Sequence, residues 1–152
     1  LEKTVAERSS ELRISEERFR KIFDNAATGI SITDMAGTIV DCNPAFTSLL
    51  GYRREELCAK TFGSLIHPDD REENLRLTRK LAQGELSQFT VENRYVTKAG
   101  TPVWEHKVIS LLYDDTGTPK HFIALVTDIT PWKQVEQELQ DLETPLQHQQ
   151  ME

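Results

Sequence analysis

Three successive stretches of alternating apolar and polar residues, at 88–98, 102–113 and 120–128, are separated by Ala99-Gly100 and by Asp114-Asp115-Thr116-Gly117. A side-chain period of two belongs to a strand with one buried face, and short Gly-bearing links join such strands antiparallel. The chain is thereby committed to a three-stranded meander. Its last strand runs with almost no loop into Thr130-Pro131, which read as the N-cap and first residue of an outgoing helix.

Upstream, the same period occurs at 29–34 and 38–42, with Met35-Ala36-Gly37 as the link, which predicts a hairpin. Asn43-Pro44 then opens a short helix that Gly51 closes, and 54–58 adds another turn of helix. His67-Pro68-Asp69-Asp70 begins a longer helix to about Gln83, with its acids where the helix dipole favours them and Gly84 as its stop. A hairpin, a block of helices and a meander give an α+β fold, a five-stranded antiparallel sheet with helices on one face.

Both flanks are helical. Leu1, Val5, Leu12, Phe19 and Ile22 step by threes and fours, with Arg8 and Ser15 completing an imperfect heptad seam. Such a stripe either pairs with a partner helix or packs on its own domain; the Phe19-Ile22-Phe23 end suits docking on the core. Trp132, Val135, Leu139, Leu142 and Leu146 form a second seam, which Pro145 is expected to kink or end. The predicted division is 1–24 for the leading amphipathic or coiled-coil helix, 25–130 for the globular domain, and 131–152 for the outgoing helix and tail.

A net charge of −7 with scattered basic residues argues against a nucleic-acid partner. With 38% apolar residues and no run of about 18, no membrane span or contact is read, and no secretion leader. The start at Leu1 in mid-heptad suggests a piece of something longer. Cys42 and Cys58 fit a reducing compartment, although two thiols leave a bridge open.

Glu17-Arg18-Phe19, Gly29-Ile30, Asp34, Gly37-Thr38-Ile39, Asn43-Pro44-Ala45-Phe46, Leu50-Gly51-Tyr52, Glu55-Glu56-Leu57, His67-Pro68-Asp69-Asp70-Arg71, Glu92-Asn93-Arg94, Gly100, Trp104, Gly117 and Asp128-Ile129-Thr130 follow one another in this order. In that order and spacing the chain resembles a PAS domain of the sensory-box type found in bacterial signalling proteins. The resemblance implies a five-stranded sheet and helices around a small cavity, with Asp128, Ile129 and Thr130 as the transmission hinge into the outgoing helix and Trp132 just beyond. Thr130 as a plain helix cap is the competing reading. The acid that usually follows is replaced here by Pro131-Trp132.

Flavin-photochemical relatives carry a reactive cysteine where this chain has Phe62, a flavin-contacting glutamine at Val126 and an asparagine at Glu105; Cys58 lies too early to substitute. Haem relatives place a histidine on the long helix, and 72–83 contains none. His67 reads as that helix's cap, and His106 and His121 as lone strand histidines. No Cys or His pair has zinc spacing. Neither flavin, haem nor metal is therefore expected.

Alternation, placed with the resemblance, puts Phe89, Val91, Asn93 and Tyr95 inward with Val103, Glu105, Lys107 and Ile109, then Phe122, Ala124 and Val126. The expected ligand residues are Phe46, Phe62, Asn93, Tyr95, Glu105, Lys107 and Val126. Charges at Glu105 and Lys107 on an inward face imply a small polar ligand, or else an open sheet edge or a register displaced by one. The outer face would carry Ile30, Ile32, Trp104, Val108, Ile123 and Leu125, covered by the leading helix of the same or a partner chain, which predicts a homodimer through Leu1, Val5, Leu12, Phe19, Ile22 and the sheet.

No phosphate-cradling loop, nucleophile elbow or catalytic cluster is present, so an enzyme is not expected within this segment. The expected function is a cytoplasmic sensory and dimerisation module that binds a small molecule or relays a conformational change to a C-terminal effector. The family points to a sensor histidine kinase of a two-component phosphorelay. The alternative is a ligand-free relay in a cyclic-dinucleotide enzyme or transcription regulator.

Overall fold

A computed structural model describes residues 2–151, with 144–151 by backbone alone; Leu1 and the Leu146 side chain lie outside the described residues. The order of elements is α1 (Val5–Asn25), β1 (Gly29–Asp34), β2 (Ile39–Cys42), α2 (Pro44–Leu50), α3 (Arg54–Leu57), α4 (Phe62–Leu65), α5 (Pro68–Ala82), β3 (Gln88–Val96), β4 (Pro102–Tyr113), β5 (Pro119–Asp128) and α6 (Thr130–Met151). The five strands form one antiparallel sheet in the order β2-β1-β5-β4-β3.

The inward register is the one expected from alternation placed with the family resemblance. Phe89, Val91, Asn93 and Tyr95 face Ile109, Lys107, Glu105 and Val103 across the β3/β4 ladder. Lys107, Ile109 and Leu111 face Val126, Ala124 and Phe122 across β4/β5. Against this face α2, α3 and α4 set Phe46, Leu50, Leu57 and Leu65 into one core with Ile39, Tyr95 and Val126, while α5 sets Leu81 into a second with Phe89, Ile109 and Phe122.

Local signals fix the helix ends. Asn43 caps α2 through the Phe46 amide, and Gly51 ends it at φ +77. His67 Nδ1 accepts from the Asp69 amide and caps α5. At the β1–β2 turn Asp34 Oδ1 accepts from the Ala36 and Thr38 amides. Gly37 takes φ +89, and a Cβ there would meet Phe62 Cε1 at 2.9 Å, so the turn requires glycine twice over.

Asp70 fastens the start of α5 to β3. Its carboxylate accepts from the Arg94 amide, Nε and Nη2 at 2.8 to 2.9 Å, which holds its pKa below the usual carboxylate range. Asp70→Ala is expected to lower unfolding free energy by roughly 2 kcal/mol, read from urea midpoints, because charge-assisted bonds and a buried amide lose their acceptor together.

Two expectations need correction. In α6 the first helical bond runs from the Lys133 amide to the Ile129 carbonyl, so Thr130 lies inside the helix and Ile129 takes the cap position. The α6 backbone runs on past Pro145 to Met151, so of the two expected effects of that proline, a kink or an end, the end does not occur. The leading helix packs its C-terminal end, not its length: Phe23 is buried with Phe19 stacked on it at 5.3 Å, whereas Phe19 and Ile22 remain 49% and 72% exposed. It rests against α2, and the outer sheet face keeps Leu125 exposed and Ile30, Ile32, Val108 and Ile123 half-buried. Cover of that face by the chain's own leading helix is not found.

Candidate functional site

The site begins on β4, where Glu105 and Lys107 are 0% and 2% exposed. Neither lies at an open edge. The register is the expected one, and α5 crosses over these residues with Asn74, itself 2% exposed. Asn74 Oδ1 accepts from Lys107 Nζ at 2.8 Å and from Asn93 Nδ2 at 3.0 Å, and Lys107 Nζ stands 4.6 Å from the centre of the Tyr95 ring.

Beside this network is a cavity of about 30 Å³, lined by Ser31, Thr33, Asn74, Thr78, Tyr95 and Lys107 with Phe62, Ile109, Phe122 and Ala124 closing it. A space of that size holds about two waters or a few heavy atoms of a small solute. Thr33 Oγ1, buried on the cavity wall, has no protein partner. Of the expected ligand residues, Phe62, Tyr95 and Lys107 line the cavity; Phe46, Asn93, Glu105 and Val126 are buried around it without reaching its wall. Ser31, Thr33, Asn74 and Thr78 were not singled out from the sequence. Asn74 and Thr78 stand one turn apart on the helix face that also carries Leu77 and Leu81, a stripe that signals burial without signalling a polar cavity.

The electrostatics follow from burial. Neither Glu105 oxygen has a hydrogen-bond partner, nor has Asn93 Oδ1 directly across the β3/β4 ladder. Desolvation, with Asp128 adding repulsion, pushes the Glu105 carboxyl up to about 8 against the opposing pull of Lys107. Desolvation pushes the Lys107 amine down to about 7, opposed by Glu105 and Asp70. Burial thus works against the charged form of each group, and a protonated Glu105 carries a donor that the unpartnered Asn93 Oδ1 opposite could accept.

The residues expected to form the hinge are bonded to the same strand. The Ile129 amide donates to the Trp104 carbonyl at 2.9 Å, the Trp104 amide donates to Thr130 Oγ1 at 3.0 Å, and the Thr130 amide donates to Asp128 Oδ1 at 2.8 Å. Asp128 is the cross-strand neighbour of Glu105. The Trp104 ring lies between Arg94 at 5.3 Å and Lys133 at 5.0 Å, and Lys133 also reaches Glu92 and Glu136. Trp132 is 74% exposed, as are Val5 at 82% and Leu12 at 60% among the expected pairing residues.

A family model described as the PAS fold matches residues 17–129. The chain belongs to the PAS family. It is 36% identical over 128 residues to a probable diguanylate cyclase, DgcE, of Escherichia coli K12, covering 84% of this chain and 12% of that protein. It is 30% identical over 135 residues to the sensor histidine kinase TmoS of Ectopseudomonas mendocina, covering 89% of this chain and 14% of that protein. Among solved structures, the PAS domain of a protein from Colwellia psychrerythraea superposes with a TM-score of 0.71 at 25% identity, over 78% of this chain and 98% of that one. The chain thus covers only 12% and 14% of the length of these two curated relatives. No described helix is long and apolar enough to cross a membrane.

Proposed function

We propose that this PAS domain is a sensory module that converts occupancy of its β4 cavity into a change at α6, and thereby governs a C-terminal effector. The observation that carries the reading is the content of one short piece of β4. Lys107 lines the cavity, Glu105 abuts Asp128, and the Trp104 backbone is bonded to Ile129 and Thr130, all within four residues. A ligand that binds two arrangements of this strand unequally shifts the hinge by that difference and no more.

The cavity favours a small polar molecule. It is far too small for a flavin or haem, and Phe62 and Lys107 occupy its wall. The same smallness supports a second reading, a ligand-free relay that transmits pairing geometry alone. The effector belongs to the histidine-kinase class, or, on the higher identity to a probable diguanylate cyclase, to the cyclic-dinucleotide enzymes. Exposed Val5, Leu12 and Ile22 and the half-buried outer sheet suit a homodimer in the cytoplasm, with a partner chain as their cover.

Hydrogen exchange tests the coupling. Thr130→Val leaves the Trp104 amide without its acceptor, so exchange at Trp104 and Lys133 should quicken roughly five-fold, the equivalent of about 1 kcal/mol. Lys107→Met should alter exchange at 129–133 in the wild-type background and fail to do so in Thr130→Val. Equal responses in both backgrounds would refute transmission through this hinge. Native mass spectrometry of the purified protein separates the two readings, a stoichiometric small molecule supporting sensing and a bare mass supporting the relay.

A further inference from the structure

Cys42 and Cys58 take no part in the cavity or the hinge, yet the fold brings them together. The link after α3 runs back along the free edge of β2: Thr38 bridges Thr61 antiparallel, and the Ile39 amide donates to the Lys60 carbonyl at 2.9 Å. Before that bridge the chain turns sharply at 57–60, the Ala59 and Lys60 amides both donating to the Leu57 carbonyl, and Cys58 packs against the core cluster that holds Cys42. Both thiols are free, and each lies within electrostatic reach of the other.

Their surroundings admit a small oxidant. Cys42 is 1% exposed but borders an open groove of about 690 Å³ whose rim carries Arg20, Arg53 and Arg54, and Cys58 is half-buried. Arg54, held by Asp41 through Nε at 2.9 Å and Nη2 at 2.8 Å, places a guanidinium near both sulfurs. Ala59, next to Cys58, has φ +150, a strained conformation for a residue with a side chain.

We propose that Cys42 and Cys58 are a redox site, a dithiol that small hydroperoxides close into a reversible disulfide between the β2 edge and the α3–α4 link. Cys58, the more exposed, reacts first. Its sulfur bonds to a peroxide oxygen as the O–O bond breaks, and the departing hydroxide or alkoxide takes up the thiol proton. The Cys42 sulfur then attacks the sulfenic sulfur; the S–S bond forms, the S–O bond breaks, and the leaving hydroxide carries off the Cys42 proton as water. Two electrons pass from the thiols to the peroxide, and a dithiol reductant reverses the change. Burial pushes the Cys42 thiol up to about 12, in keeping with its role as the second partner.

The bridge acts on two places already described. The link it clamps continues into Phe62 on the cavity wall, and Asp41, beside Cys42, holds Arg20 of α1 at 3.5 Å. Oxidation therefore stiffens the joint between leading helix, sheet edge and cavity.

One to two equivalents of hydrogen peroxide added to the full chain should remove two hydrogens from the intact mass, yield a Cys42–Cys58 linked peptide, and be undone by dithiothreitol. Exchange at 38–42 and 59–62 should slow several-fold in the oxidised form. With peroxide and a sulfenic-acid trap, Cys42→Ser should be labelled at Cys58 and Cys58→Ser left unlabelled. Thiols that stay reduced, crosslinks found only between chains, or over-oxidation of single cysteines without a bridge would each overturn the proposal. The wild-type readout does not depend on how either variant folds.

Discussion

The unfolding free energy of this domain should pass through a minimum near pH 7 to 8, where many proteins are close to their most stable. Glu105 has its carboxyl raised to about 8 in the folded chain, so between about 4.5 and 8 the folded state holds a proton that the unfolded state has lost, and stability falls as pH rises. Lys107 has its amine lowered to about 7, so between about 7 and 10.5 the unfolded state holds the extra proton and stability rises with pH. Each limb is worth on the order of 4 kcal/mol by the linkage relation. Glu105→Gln should abolish the falling limb and raise the urea midpoint at pH 8, because a neutral amide can donate to Asn93 Oδ1 without desolvating a charge. Lys107→Met should abolish the rising limb. Urea titrations at pH 5.5, 7.5 and 10 decide it: a wild-type curve flat across that range would show that Glu105 and Lys107 are not held neutral.

Asn43→Ala should cost roughly 4 kcal/mol or more, a large share of the 5–15 kcal/mol that holds such a domain together. Asn43 is 0% exposed, and its amide makes four hydrogen bonds to the main chain. Its Oδ1 accepts from the Ile30 and Phe46 amides at 2.8 and 3.1 Å, and its Nδ2 donates to the Phe23 and Thr28 carbonyls at 3.0 and 2.9 Å. One side chain thus joins the end of α1, the loop before β1, β1 itself and the start of α2. Asn43→Ser restores the cap alone and should recover about 1 kcal/mol of the loss. Full recovery by serine would mean that Asn43 is a cap and nothing more.

That contrast marks where the sequence is informative. Asn43-Pro44 announces a helix start because capping is local, a matter of one side chain and an amide three residues on. The carbonyls of Phe23 and Thr28 are brought to Asn43 by tertiary folding, and no spacing announces them. Alternation set beside the family resemblance likewise points to the inward faces of β3, β4 and β5, with Glu105 and Lys107 among their residues, while an open edge or a register displaced by one stays possible until the helices are placed. It reveals a face without showing where along it a cavity opens, and that is decided by how α5 crosses the sheet. Asn74 and Thr78 are therefore absent from a reading by period, and Glu105 lies behind the wall instead of on it. The four-residue α4 is too short to carry a period at all. Thr130 was misplaced by one position because its hydroxyl is taken by a strand amide, a competitor outside the helix.

Gly29, the first residue of β1, pairs with Val126 near the end of β5, at the middle of the sheet. The polypeptide therefore comes in and goes out at neighbouring points, with every other loop folded back between them. A unit with a single doorway can be spliced into a continuous helical stalk, duplicated or swapped, without changing what lies on either side. Evolution can thread such units like beads, and an engineer can exchange one for another by cutting at the same two places.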